Sequence, residues 1–188
     1  MASDRDDERL AAPGNLEVVR DFVNTVDVLP STEELENPAG LASWLEGHGI
    51  VPTRPALTDE DLVRAKVLRE ALRGLLMANA GFPLSPEAAE AFNAAAGSVR
   101  LRARAEEAGR LELLPGAADG MDHAIGWLLS IVVAAQESGT WTRLKACAEC
   151  HWALYDQTKN RSAAWCGSQC GARVRARRHR RRGRDDSA

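Results

Sequence analysis

The sequence predicts a mainly α-helical protein: a helical N-terminal domain with one minor β-hairpin, followed by a small four-cysteine module that ends in a basic helix. Three observations carry this reading. Apolar residues recur at helical spacing between recognisable caps, all four cysteines fall within residues 147–170, and the charge changes sign near residue 140. At 188 residues the chain has room for one main core and one small module, and 45% hydrophobic with 27% charged residues excludes a disordered or fibrous protein.

Residues 1–12 are polar and read as a disordered N-terminus. Leu16, Val19, Phe22, Val23 and Val26 then recur at helical spacing, closed by Leu29 and Pro30. Asn37 and Pro38 form an N-cap and first-turn pair for a short helix presenting Leu41, Trp44 and Leu45, ended by Gly47 and Gly49. Thr58 with Asp61 has the spacing of a capping box and opens a longer helix to about Ala80, with Leu68, Leu72, Leu75 and Leu76 on one face. Ser85 and Pro86 start an alanine-rich helix through Ala88, Phe92 and Ala95. Val99, Leu101 and Ala103 alternate with Arg100, Arg102 and Arg104, the period of a half-exposed strand, and Leu111–Leu114 is the expected hairpin partner. Residues 119–137 are apolar almost all round, with Ile125, Leu128, Leu129, Val132 and Val133, which suits a buried central helix. The helical domain thus covers 13–140, the module 141–184, and 185–188 are a tail.

The net charge of −3 conceals a division: residues 1–140 carry 12 Lys+Arg against 23 Asp+Glu, and residues 141–188 carry 12 against 4. A basic end on an acidic body calls for an anionic partner, of which nucleic acid is the commonest. The acidic body can also restrain the basic end within the free protein. The longest apolar run, Ala124–Ala135, is too short for the roughly 20 residues of a bilayer span. No membrane association is expected. Residues 1–10 are acidic without an apolar stretch, so nothing reads as a signal peptide and the expected location is the cytoplasm.

Cys147, Cys150, Cys166 and Cys170 give C-x2-C, a 15-residue gap and C-x3-C. Two close thiolate pairs on a short connector deliver the tetrahedral donors of one structural Zn2+, in a segment too small for its own core. Iron–sulfur ligation and a thiol switch are the weaker readings, and His151 and His179 are alternative ligands that a complete thiolate set makes unnecessary. A closed site leaves no position for water, so the metal builds rather than catalyses.

Trp152, Leu154, Tyr155 and Trp165 supply a mini-core around the metal, which is favoured over base stacking. From Cys170 to Arg182 the chain favours a helix, capped by Ser168, with Arg173, Arg177, Arg180, Arg181 and Arg184 on one stripe and Arg175, Arg178 and Arg182 on a second. Planar guanidinium groups suit phosphates and guanine edges, so these arginines are candidate double-stranded DNA contacts, with Lys159 and Arg161 of the inter-knuckle loop as secondary ones. RNA is the less favoured nucleic acid.

At these residues the chain resembles the CGNR zinc-finger family: Cys147-Ala-Glu-Cys150-His-Trp152, Tyr155-Asp156, Thr158-Lys159-Asn160, Trp165-Cys166 and Cys170-Gly171-Ala172-Arg173 stand where the family has its pattern. Ala172 replaces the signature Asn, which removes one contact expected of the family. Asp21-Phe22-Val23-Asn24-Thr25 and Leu68-Arg69-Glu70-Ala71-Leu72 are similar to stretches of the helical ABATE domain that accompanies this finger. The resemblance implies a bacterial, stress-related transcription regulator.

Asp21, Asn24, Trp44 and Arg69 are candidates for a ligand pocket of an effector, although polar groups of this kind more often satisfy one another. No phosphate loop, nucleophile elbow or H-E-x-x-H motif is present, and the four histidines are scattered, so catalysis is not expected. A zinc-stabilised protein adaptor is the alternative of a different class. A homodimer would let two modules read two half-sites, although no heptad pattern marks an interface.

Overall fold

The computed structural model of the chain describes residues 10–29, 31–107 and 109–185, apart from the side chains of Arg178 and of 181–185. Most of the expected disordered start and of the tail, and the side chains of the candidate contacts Arg178, Arg181 and Arg182 and of Arg184, lie outside the described residues.

Among the described residues six α-helices account for the fold, and the caps expected at Asn37, Thr58 and Ser85 are made, whereas Ser168, expected as a cap, is the first residue of the last helix. Helix α1 is Leu16–Asn24 and α2 is Pro38–Gly47, whose Asn37 cap accepts the Gly40 N–H at 2.9 Å. In α3, Asp59–Asn79, Thr58 and Asp61 complete the capping box, and in α4, Pro86–Gly97, Ser85 accepts the Ala88 N–H. The hairpin of β3, Leu101–Ala105, and β4, Leu111–Pro115, pairs as expected, with Leu101 opposite Pro115 and Ala105 opposite Leu111, but the expected alternation is missing from β3: beyond the half-buried Leu101 every residue is exposed, Ala103 included. It packs against α5, Gly120–Glu137, where Gly126 lets Pro115 approach closely: a Cβ there would stand 3.3 Å from it.

Two short sheets were not legible in the sequence. Helix α1 stops at Asn24, because Thr25 turns its hydroxyl back to the Phe22 carbonyl. Val26 therefore leaves the helix and pairs, in β1 (Val26–Asp27), with Glu33 of β2 (Thr32–Glu33). The second sheet joins β5, Leu144–Ala146, to β6, Ala153–Tyr155. The last helix, α6, runs from Ser168 to Asp185.

The core forms where α1, α2, α3 and α5 meet, around Val19, Phe22, Leu41, Leu45, Leu68, Leu72, Leu76, Ile125 and Leu128. It continues across residue 140: Trp141, Leu144, Ala146 and Ala153 belong to the same apolar cluster. Polar clamps reinforce this junction. The Asn24 amide makes two hydrogen bonds to the backbone of Ala153, Arg73 donates to the carbonyls of Val23 and His151, and Asn79 donates to those of Trp141 and Leu144. Ala12, at the end of the segment read as disordered, is buried, and its N–H donates to Glu17. Among the described residues no helix is long and apolar enough to cross a membrane.

Candidate metal centre

The first cysteine pair is the turn of the β5–β6 hairpin. The Cys147 N–H donates to the Trp152 carbonyl and the His151 N–H to the Cys147 carbonyl, both at 2.9 Å, so the C-x2-C spacing closes a tight loop. His151 takes φ +61° to close it, a left-handed conformation that a non-glycine residue rarely holds, and Arg73 fixes its carbonyl. The second pair brackets the start of α6, with Cys166 just before it and Cys170 in its first turn. A hairpin tip and a helix start thereby converge on one point.

All four Sγ atoms lie within 4.8 Å of one another and all four cysteines are buried. The Cys150–Cys166 and Cys166–Cys170 sulfurs are 3.4 and 3.8 Å apart. One zinc ion with thiolates at about 2.3 Å on tetrahedral corners sets sulfurs about 3.8 Å apart, so the donors fit a single ion. A multi-iron cluster holds its cysteines farther apart. Without a cation the group is electrostatically frustrated. Hydrogen bonds from the neighbouring Cys150 and Cys166, with the amides of Glu149 and Cys150, push the Cys147 thiol far down, while Cys147 and Cys150, together with burial, push Cys166 far up. Burial and the charge on its neighbours take Cys170 up to about 12. A divalent ion relieves this conflict by stabilising four thiolates at once. His151 and His179 are exposed and stand outside the cluster. The expected mini-core is Trp152, Leu154 and Trp165 with Ala163 and Leu10, whereas Tyr155 packs on the main core.

The loop between the pairs is organised by Asp156, which stands in the family pattern but has no role assigned from sequence. Asp156 is fully buried and accepts four kinds of donor: the Lys145 ammonium at 2.8 Å, the Thr158 N–H and hydroxyl, and the Ala163 N–H. Burial alone would raise its carboxyl; these donors hold it below the ordinary carboxylate range. The Asp-x-Thr spacing was the available signal, since a short acidic side chain bonding the amide two residues on marks a local turn. Lys145 also donates to the Arg161 carbonyl, and Arg143 to those of Asp156 and Thr158. This leaves the side chains of Lys159 and Arg161 exposed on the loop's outer surface.

In α6, Cys170 and Gly171 face inward, and Trp165 lies against Gly171, where a Cβ would stand 3.6 Å from the ring. Ala172, Arg173, Arg175, Arg177 and Arg180 are exposed. Among these, Arg177 is ion-paired with Glu149 of the first knuckle.

Among the four candidate pocket residues, the polar groups of Asp21, Asn24 and Arg69 find partners within the chain. Asp21 pairs with Arg20 and stands 3.9 Å from His48, whose ring stacks on Trp44 at 3.9 Å. Asn24 is spent on Ala153. Arg69 donates to Glu33 at 2.8 and 2.9 Å, to Thr25 and to Glu70; burial lowers its pKa but these carboxylates raise it further, and they draw Glu33 below its usual value against the effect of burial. None of the four lines the groove of about 540 Å3 between α3 and α4, which is walled by Val63, Val67, Ala88 and Ala91.

Comparison with known families adds to this geometry. The CGNR zinc finger matches residues 143–183. The ABATE domain, described as "Putative stress-induced transcription regulator", matches residues 4–154. The two matches overlap on the first knuckle, the segment that packs into the helical core. No curated protein matches the chain. Neither matching family is an enzyme family. With the larger match spanning residues 4–154 of 188, the chain belongs to the ABATE family and carries a CGNR zinc finger at its C-terminal end.

Proposed function

We propose that the protein is a zinc-dependent regulator of transcription that binds duplex DNA through α6. One observation carries the proposal: a helix tied by Cys170 to a buried four-thiolate centre displays Arg173, Arg175 and Arg180 on its exposed surface, and among the described residues no carboxylate pairs with them. Unpaired arginines on a rigid anchor suit phosphates and guanine edges. Lys159 and Arg161 add phosphate contacts from the loop. The side chains of Arg178, Arg181 and Arg182 extend the same basic run in sequence. Such a regulator works on the chromosome in the cytoplasm. One module reads only a few base pairs, so a homodimer on two half-sites fits the reading.

Asn24 and Arg69 belong, in this reading, to the framework joining body to finger rather than to an effector pocket. Asp21 and Trp44, close around His48, remain as the pair an effector could reach.

The test is fluorescence anisotropy of zinc-loaded protein with duplex from its own upstream region, scrambled duplex and single-stranded RNA at several salt concentrations. About five phosphate contacts give a log–log slope near −4 to −5, and Arg173→Ala costs about 1 to 3 kcal/mol on the preferred duplex if it reads a base. Preference for RNA would reassign the nucleic acid. No binding to any of the three would leave a zinc-stabilised protein adaptor as the function.

A further inference from the structure

We infer that Arg177 is a positioning residue, the strut that sets the angle of α6 through Glu149, and not itself a contact to phosphate or base. The inference rests on the DNA-binding reading of α6. Glu149 lies between the two cysteines of the first knuckle, and its amide faces the Cys147 sulfur. Its side chain is only 7% exposed, so its carboxylate is taken out of water and needs a cation. Among the described residues the cation is Arg177, two helical turns beyond Cys170. Residues seven apart fall on the same helical face. The metal therefore holds this face of α6 at Cys170 and the ion pair holds it again at Arg177. One anchor would leave the helix free to swing; two fix its direction, and with it the placement of the exposed Arg173 and Arg180.

The contrary view is that Glu149 merely occupies a phosphate-binding arginine until DNA displaces it. The two views give opposite signs. Removing a carboxylate beside a polyanion tightens binding unless that carboxylate is structural. For a strut, Glu149→Gln weakens binding despite the loss of a repelling charge.

The experiment uses the full zinc-loaded chain with a mixed-sequence duplex, and zinc content near one per chain confirms that each variant keeps its centre. Glu149→Gln and Arg177→Ala are each expected to weaken binding about tenfold or more, which is the size of one hydrogen bond to a charged group. The salt slope stays unchanged, because no phosphate contact is lost. The double variant is no weaker than Arg177→Ala alone, because both changes cut the same link. Amide hydrogen exchange in 172–176 speeds up in both single variants. Tighter binding by Glu149→Gln, or a slope smaller by about one in Arg177→Ala with α6 protection unchanged, would overturn the inference. Should the wild-type chain bind no duplex at all, the DNA-binding reading fails, and the exchange rates alone then decide the strut: faster exchange supports it and unchanged exchange refutes it.

Discussion

The side-chain amide of Asn24 meets Ala153 as a neighbouring strand would, donating to its carbonyl at 3.0 Å and accepting its N–H at 2.7 Å. Asn24→Ala deletes both bonds and leaves a buried N–H and C=O without partners. The expected cost is about 3 kcal/mol, from two bonds and the desolvation they no longer offset, read as a lower urea midpoint at constant m. Asp156 acts in the same way for the loop. Its carboxyl is held below the usual range, so it contributes stability that is present above the ordinary carboxylate pKa of about 4 and is lost as pH falls through its folded value. Asp156→Asn strands the Lys145 ammonium, only 9% exposed, and is expected to cost about 3 kcal/mol at pH 7. The gap between variant and wild type should shrink towards pH 3. A gap that stays constant in urea titrations over this range would contradict the assignment. Thiol protonation releases zinc from both proteins in acid, so only their difference is informative.

Helices α3 and α4 cross where a Cβ on Gly74 would come within 2.6 Å of the Ala88 methyl. Gly74→Ala gains about 1 kcal/mol of helix propensity but forces apart two packed helices, at about 1 to 3 kcal/mol. Net destabilisation is expected, and Ala88→Gly in the same chain should recover most of it. A single substitution that raised Tm would show that the crossing yields easily. The β5–β6 hairpin illustrates a second point at this scale: its turn is the knuckle, so the element that carries two metal ligands also supplies Leu144, Ala146 and Ala153 to the main core.

For the whole molecule, that shared hairpin ties metal binding to global stability. Chelation, or Cys147→Ser, is expected to leave most of the far-ultraviolet helix signal at 25 °C, since α1 to α5 keep their own packing. The same treatment should lower the Tm of that signal by about 10 °C or more, because a structural metal contributes folding free energy and the core it supports is continuous with the body. An unchanged Tm would mean that the finger and the helical body fold independently.

Caps, apolar periodicity and cysteine spacing are local in sequence, and they were enough to locate all the long helices, the β3–β4 hairpin and the four metal ligands. Thr58 and Asp61, for instance, need nothing beyond a three-residue spacing to start α3. What spacing cannot give is the identity of a partner distant in the chain. Asn24 and Ala153 are 129 residues apart, Arg73 and His151 are 78 apart, and Arg177 meets Glu149 across 28. Each of these polar groups could have faced solvent or a ligand until packing enclosed it, because a buried polar group must take whatever complement the fold sets beside it. The sequence alone therefore determined that a helical body and a zinc-binding finger exist. Only the tertiary structure decided that they share one core, since burial is a property of surfaces brought together and not of either segment alone.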